Sequence, residues 1–108
     1  MDNSNSLDKI FKAIADPTRR EILYLLVAAT VAMNINDVAD KFPVSRQGVT
    51  KHIKILEDAG LVEIQVQGRD RVCVASPRPL KEVQSWIAMY QHFWDEKLDK
   101  LGDFLDKT

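Results

Sequence analysis

The stretch FPVSRQGVTKHIKILEDAGLV, residues 42–62, restricts the fold of this chain more than any other. A proline break precedes it, Ser45 stands where an N-cap belongs, and Ala59-Gly60 offers the left-handed backbone on which helices commonly end. Between these signals Val49, Ile53 and Leu56 share one side at helical spacing, while Gln47, Thr50, Lys51 and Lys54 fall on roughly the opposite one. With Arg46 in the first turn, the early turns hold cations and no acid. One side suits a core and the other an anion. Amides and hydroxyls read base edges in a major groove, lysine and arginine pair with phosphate or guanine, and a helix N-terminus itself favours negative charge. A merely solvated basic face is the competing explanation for this helix taken alone, and its surroundings weigh against it.

Before Pro43, Asn34 and Asp37 resemble a capping box opening a short helix through Ile35, Val38, Ala39 and Phe42, so that two helices are joined by a turn of three or four residues. This predicts a helix-turn-helix over about 34–59. Beyond Gly60, residues 61–66 and 71–75 are rich in β-branched side chains and flank Gln67-Gly68-Arg69-Asp70, which predicts a two-stranded hairpin over about 61–75 with a basic tip. Arg69 and Arg71 flank that turn. Arginine at such a wing enters narrow minor grooves, and DNA contact is favoured for Arg69 over simple exposure.

Leu7, Ile10, Phe11 and Ile14 follow i, i+3, i+4, i+7 and predict a helix over about 5–14. Asp16-Pro17 caps the next, over about 17–28, with Ile22, Leu23, Leu25 and Leu26 on its apolar side. After Pro77 and Pro79 a long helix carries Val83, Ile87, Tyr90, Trp94, Leu98, Leu101 and Leu105 at spacings of three and four, and Trp86, Met89, Phe93 and Phe104 widen the stripe. Those two rows exceed what one small core can bury, which predicts self-association. The fold class is mainly α (α+β): a winged helix-turn-helix with a long C-terminal dimerisation helix.

At 108 residues the chain is read as one domain, 1–108, with no repeat or linker. Fifteen Lys plus Arg against sixteen Asp plus Glu give a net charge of −1, so any nucleic-acid binding has to be local. The basic cluster near the middle is offset by an acidic carboxyl end, where Asp95, Glu96, Asp99, Asp103 and Asp106 outnumber the lysines. No apolar run approaches the ~18 residues of a membrane span, the amino terminus lacks a signal-peptide pattern, and lone Cys73 excludes an intrachain disulfide. A cytoplasmic protein without membrane contact is expected. No glycine-rich phosphate loop, nucleophilic triad or buried carboxylate pair is visible, so no enzyme is expected.

The order FKAIADPTRREILYLL, NINDVADKF, VSRQGVTKHIKILEDAGLV and a GRDR wing resembles the ArsR family of winged-helix repressors over almost the whole chain. The last helix is similar to a branch of that family without the metal site. The resemblance implies a homodimer joined through the first and last helices, operator binding by two recognition helices, and repression. The implied DNA contacts are Ser45, Arg46, Gln47, Thr50, Lys51, Lys54, Arg69 and Arg71. The implied dimer contacts are Leu7, Ile10, Phe11, Trp86, Tyr90, Phe93, Trp94 and Leu101.

Family members that sense metals use a cysteine pair in the helix before the turn, and NINDVADKF has neither cysteine nor histidine. For a second family site His92 and Asp95 supply only a later half, since Pro79 and Lys81 stand where the earlier pair belongs. No metal and no cofactor are expected. His92 reads as an exposed or interface side chain, Cys73 as a small buried hydrophobe, and His52 as a packing or phosphate-contact residue. Arg19 and Arg20 fit a phosphate contact and pairing with Asp16 or Glu21 equally. Two alternatives stay open: a winged-helix protein-interaction module without DNA binding, and a repressor answering an organic ligand at the dimer seam.

Overall fold

Caps and breakers set the element boundaries. A computed structural model describes residues 3–107, so Met1, Asp2 and Thr108 of the expected 1–108 span lie outside the described residues. The elements run α1 (Asn3–Ile14), α2 (Pro17–Ala28), β1 (Met33–Asn34), α3 (Ile35–Ala39), α4 (Arg46–Asp58), β2 (Val62–Gln67), β3 (Asp70–Ala75) and α5 (Leu80–Asp106). Asp16 caps α2 by accepting from the Arg19 backbone N–H at 3.1 Å, with Pro17 at the first helical position, where a missing N–H costs nothing. Asn34 and Asp37 form a reciprocal capping box at α3, at 2.8 and 3.0 Å.

Three sequence expectations are corrected here. The α3 helix stops at Ala39 rather than Phe42, because Lys41 and Phe42 donate to Val38 and Ala39 three residues back and the last turn tightens before Pro43. The link to α4 is therefore longer than three or four residues. The sheet has three strands in the order β1-β3-β2, all antiparallel, since Met33 and Asn34 pair with Cys73 and Val72. Two residues carry no periodicity to be read. The hairpin is also tighter than expected: Gln67 pairs with Asp70 and only Gly68-Arg69 remain as the turn. Gly68 has φ +64° and Arg69 a negative φ, the arrangement of a type II′ turn, which follows the twist of the strands.

The core is assembled from all these elements. Ile10, Ile22, Val38, Val49, Leu56 and Leu61 are fully buried, each stabilising by roughly 1.5–3 kcal/mol. Ile10 was expected at a dimer interface, and that expectation is overturned: the inward side of α1 places it with Ala13 against α2 and α4, leaving no surface for a partner. Leu7 and Phe11 on the same helix stay half-buried.

The α5 helix, ~40 Å long at 1.5 Å per residue, extends the molecule to 70 Å in its longest dimension. Leu80 and Val83 pack against the core, and none of its residues is fully buried.

Candidate nucleic-acid interface

The α4 helix opens at Ser45, whose Oγ accepts the Gly48 N–H at 3.0 Å. Gly48 lies so near the preceding turn that an added Cβ would fall 2.7 Å from Val44 Cγ1, so a small residue lets Val44 close over the helix start. Val49, Ile53 and Leu56 seat one side of α4 in the core. That contact turns Ser45, Arg46, Gln47, Thr50, Lys51 and Lys54 to the outside, and all six are exposed. The sequence-read division of this helix is thus reproduced residue by residue.

Thr50 is more constrained than its exposure suggests. Its Oγ1 donates to the Arg46 carbonyl at 2.9 Å, so the hydroxyl proton is engaged within the helix. What Thr50 can present outward is an acceptor and a methyl group, suited to an amino group of adenine or cytosine or to the thymine methyl. Arg46, Lys51 and Lys54 supply positive charge across the first half of α4, and the acids Glu57 and Asp58 are confined to its last turn. Arg69 is exposed at the tip of the β2–β3 hairpin, and Arg71, paired in register with Val66, is exposed one step down the strand.

Arg19 and Arg20 close the end of α1, a role the sequence did not announce, and the Arg19 side chain also acts on Asp16 through its charge. Arg19 Nε and Nη2 donate to the Ala13 and Lys12 carbonyls at 2.8 and 3.0 Å, and Arg20 Nη1 donates to the Ile14 carbonyl at 2.7 Å. Together they close the C-terminus of α1, where unpaired carbonyls and the helix dipole favour cations. Arg19 Nη1 also lies 3.2 Å from His52 Nδ1, which ties half-buried His52 to α2. The Asp16 carboxyl is held below its ordinary range, first by the Arg19 backbone N–H, with the Arg19 and His52 side chains adding to it. These links join side chains distant in the chain, and no local spacing announces them.

Cys73 is buried in β3, and burial pushes its thiol up, with nearby Glu57 acting in the same sense. His92 Nε2 lies 3.5 Å from Glu96 Oε1 on the outside of α5. Among the described residues, no three His, Cys, Asp or Glu side chains converge as metal ligands would, and no helix is long and apolar enough to cross a membrane.

Of the expected seam residues other than Ile10, Leu7 and Phe11 are half-buried on α1 and the rest lie along α5. Phe11 meets Trp86, which meets Tyr90, and beyond them Phe93, Trp94 and Leu101 are 50%, 59% and 53% exposed. Met89, Tyr90, Phe93 and Trp94 line a shallow, mostly apolar hollow.

A buried-and-basic helix preceded by a short helix and followed by a hairpin with a basic tip defines a winged helix-turn-helix protein. A family described as a helix-turn-helix domain matches residues 14–65. The chain is 40% identical over 86 residues to YuzN of Bacillus subtilis (strain 168), an uncharacterized HTH-type transcriptional regulator, covering 74% of this chain and 94% of that one. It is 29% identical over 92 residues to the transcriptional repressor SdpR of the same organism, covering 85% of this chain and all of SdpR. A solved ArsR family transcriptional regulator superposes with a TM-score of 0.76 at 35% identity, over 85% of this chain and 93% of that one. The chain belongs to the ArsR family of winged helix-turn-helix transcriptional regulators. It is a transcription regulator and not an enzyme.

Proposed function

We propose that this regulator is a homodimeric repressor that binds a pseudo-palindromic DNA site, with one α4 helix from each subunit in successive major grooves. The observation that carries this reading is the division of α4 into a side seated in the core by Val49, Ile53 and Leu56 and an exposed side of Ser45, Arg46, Gln47, Thr50, Lys51 and Lys54. Gln47 and Thr50 read base edges; Arg46, Lys51 and Lys54 neutralise phosphate; Ser45 holds the helix start against the backbone. Arg69 and Arg71 follow the adjacent minor groove. A protein-interaction module would make no use of so polar and basic a face.

The second subunit is called for by α5. Its exposed aromatic and aliphatic rows, continuous with Phe11 through Trp86, form an apolar surface that a second copy covers through a two-fold axis. The whole chain then works as one unit in the cytoplasm, where its DNA is. An organic effector would enter at the hollow of Met89, Tyr90, Phe93 and Trp94, which lies on that seam.

The test is binding of the purified protein to the DNA just upstream of its own gene, against a scrambled duplex, at several salt concentrations. The reading expects a preference of about 10³-fold or more for the specific duplex. Equal binding to both duplexes contradicts it.

A further inference from the structure

We propose that Arg19 is a positioning residue that fixes the direction of α4 relative to α1 and thereby sets the separation of the two recognition helices, an inference that rests on the dimeric DNA-binding reading. Four hydrogen-bonding contacts converge on this residue. Its backbone N–H meets Asp16 Oδ2 at 3.1 Å, Nε meets the Ala13 carbonyl at 2.8 Å, Nη2 the Lys12 carbonyl at 3.0 Å, and Nη1 lies 3.2 Å from His52 Nδ1. The first bond belongs to the α2 cap, the next two to the end of α1, and the last to α4. The guanidinium, carried by α2, therefore joins the end of α1 to α4.

Guanidinium chemistry suits that task. Its N–H groups form a rigid fork and it has no acceptor, so in this contact the guanidinium donates and His52 Nδ1 accepts. A lysine ammonium, a single point of charge, cannot hold the three directions at once. His52 lies on α4 directly beside Lys51 and half-buried at the edge of the reading face. At the other end of the linkage, α1 carries Phe11, which packs on Trp86 at the root of the apolar helix. The angle between α1 and α4 is thus the angle between the dimer seam and the DNA groove.

Small changes in that angle matter. The 13-residue α4 is ~20 Å long, so a tilt of about 10° displaces one end by about 3 Å, close to the ~3.4 Å rise of one base pair. Arg20 supplies an internal control. Its side chain donates to the Ile14 carbonyl, so it closes α1 without a bond to α4.

The experiment uses the intact protein and duplexes selected from random DNA: one with two half-sites at the preferred separation, two with the separation changed by one base pair either way, and one with a single half-site. His52→Leu removes the α4 link and leaves the α1 cap in place. It should weaken binding at the preferred separation about fivefold or more, flatten the dependence on separation, and change single half-site affinity by less than about twofold. Arg19→Lys should do the same. His52→Asn, whose Oδ1 takes the place of Nδ1 as acceptor, should restore the parent profile, and Arg20→Ala should retain it. A folded His52→Leu dimer with the parent's profile, or one that loses affinity equally on every duplex, overturns this inference alone. A parent protein with no preferred separation overturns the two-site reading beneath it.

Discussion

The ring of Phe11 on α1 meets Trp86 on α5 edge to face, with centroids 5.0 Å apart and planes at 73°. Trp86 meets Tyr90 in the same manner at 4.8 Å, so an aromatic joint anchors the root of α5 to the domain. Such pairs contribute roughly 0.5–1.5 kcal/mol each beyond their burial. Past this joint the helix continues with Phe93, Trp94, Leu98 and Leu101 at least half exposed.

A second copy is therefore expected on that surface. Light scattering at micromolar concentration should give twice the 12.3 kDa chain mass. Leu98→Asp, at a side chain 59% exposed on α5, should give a folded monomer. A monomeric parent would remove the basis for a two-fold site.

Gly48 presents two opposed effects. Alanine in a helix interior is favoured over glycine by about 1 kcal/mol. Here its Cβ would sit 2.7 Å from Val44 Cγ1 and 3.2 Å from Ser45 Oγ. Valine is stiff at χ1 and half-buried at this turn, so relief requires moving the helix start at a cost of roughly 1–3 kcal/mol. Gly48→Ala should lower the melting temperature; a rise would show that Val44 yields freely.

The Asp16 carboxyl has a folded pKa lowered from its ordinary 3.8, chiefly by the Arg19 backbone N–H. Its contribution to stability is complete above the unfolded value and is lost as pH falls through the lower folded one. In acid titrations the parent and Asp16→Asn should therefore converge as pH drops below 3.8. Parallel curves through that range would contradict the cap.

Burial raises the Cys73 thiol, keeping it protonated and covered at neutral pH. Ellman's reagent should label it slowly in the native protein and rapidly in denaturant. Fast native labelling would contradict its place in the sheet.

Most of the helical framework was legible because its signals are local. Asp16-Pro17, the Asn34 and Asp37 box, and Ser45 each act within three residues, and the α4 apolar row needs only a period of 3.6. What stayed hidden depends on distant partners. The strand at Met33 and Asn34 exists because β3 lies beside it, and a helix wheel alone did not decide which of Leu7, Ile10 and Phe11 faces inward. The α1 terminus has no glycine stop because two arginines of the following helix supply its cap. The exposed side of α4 was fully readable, while the engagement of Thr50's proton by Arg46 required the helix to be built.

The central claim, that the exposed side of α4 reads DNA, is tested most directly by alanine variants measured on specific and random duplexes across a salt series. Lys54→Ala should weaken binding to both duplexes alike and reduce the salt slope by about one unit for each phosphate no longer neutralised, doubled in a symmetric dimer. Gln47→Ala and Thr50→Ala should cost on the order of 1–3 kcal/mol per contact on the specific duplex and little on random DNA. All three side chains are exposed, so melting temperatures should hardly move. Folded Gln47→Ala, Thr50→Ala and Lys54→Ala proteins that bind both duplexes like the parent would contradict the account and leave this face as a solvated surface.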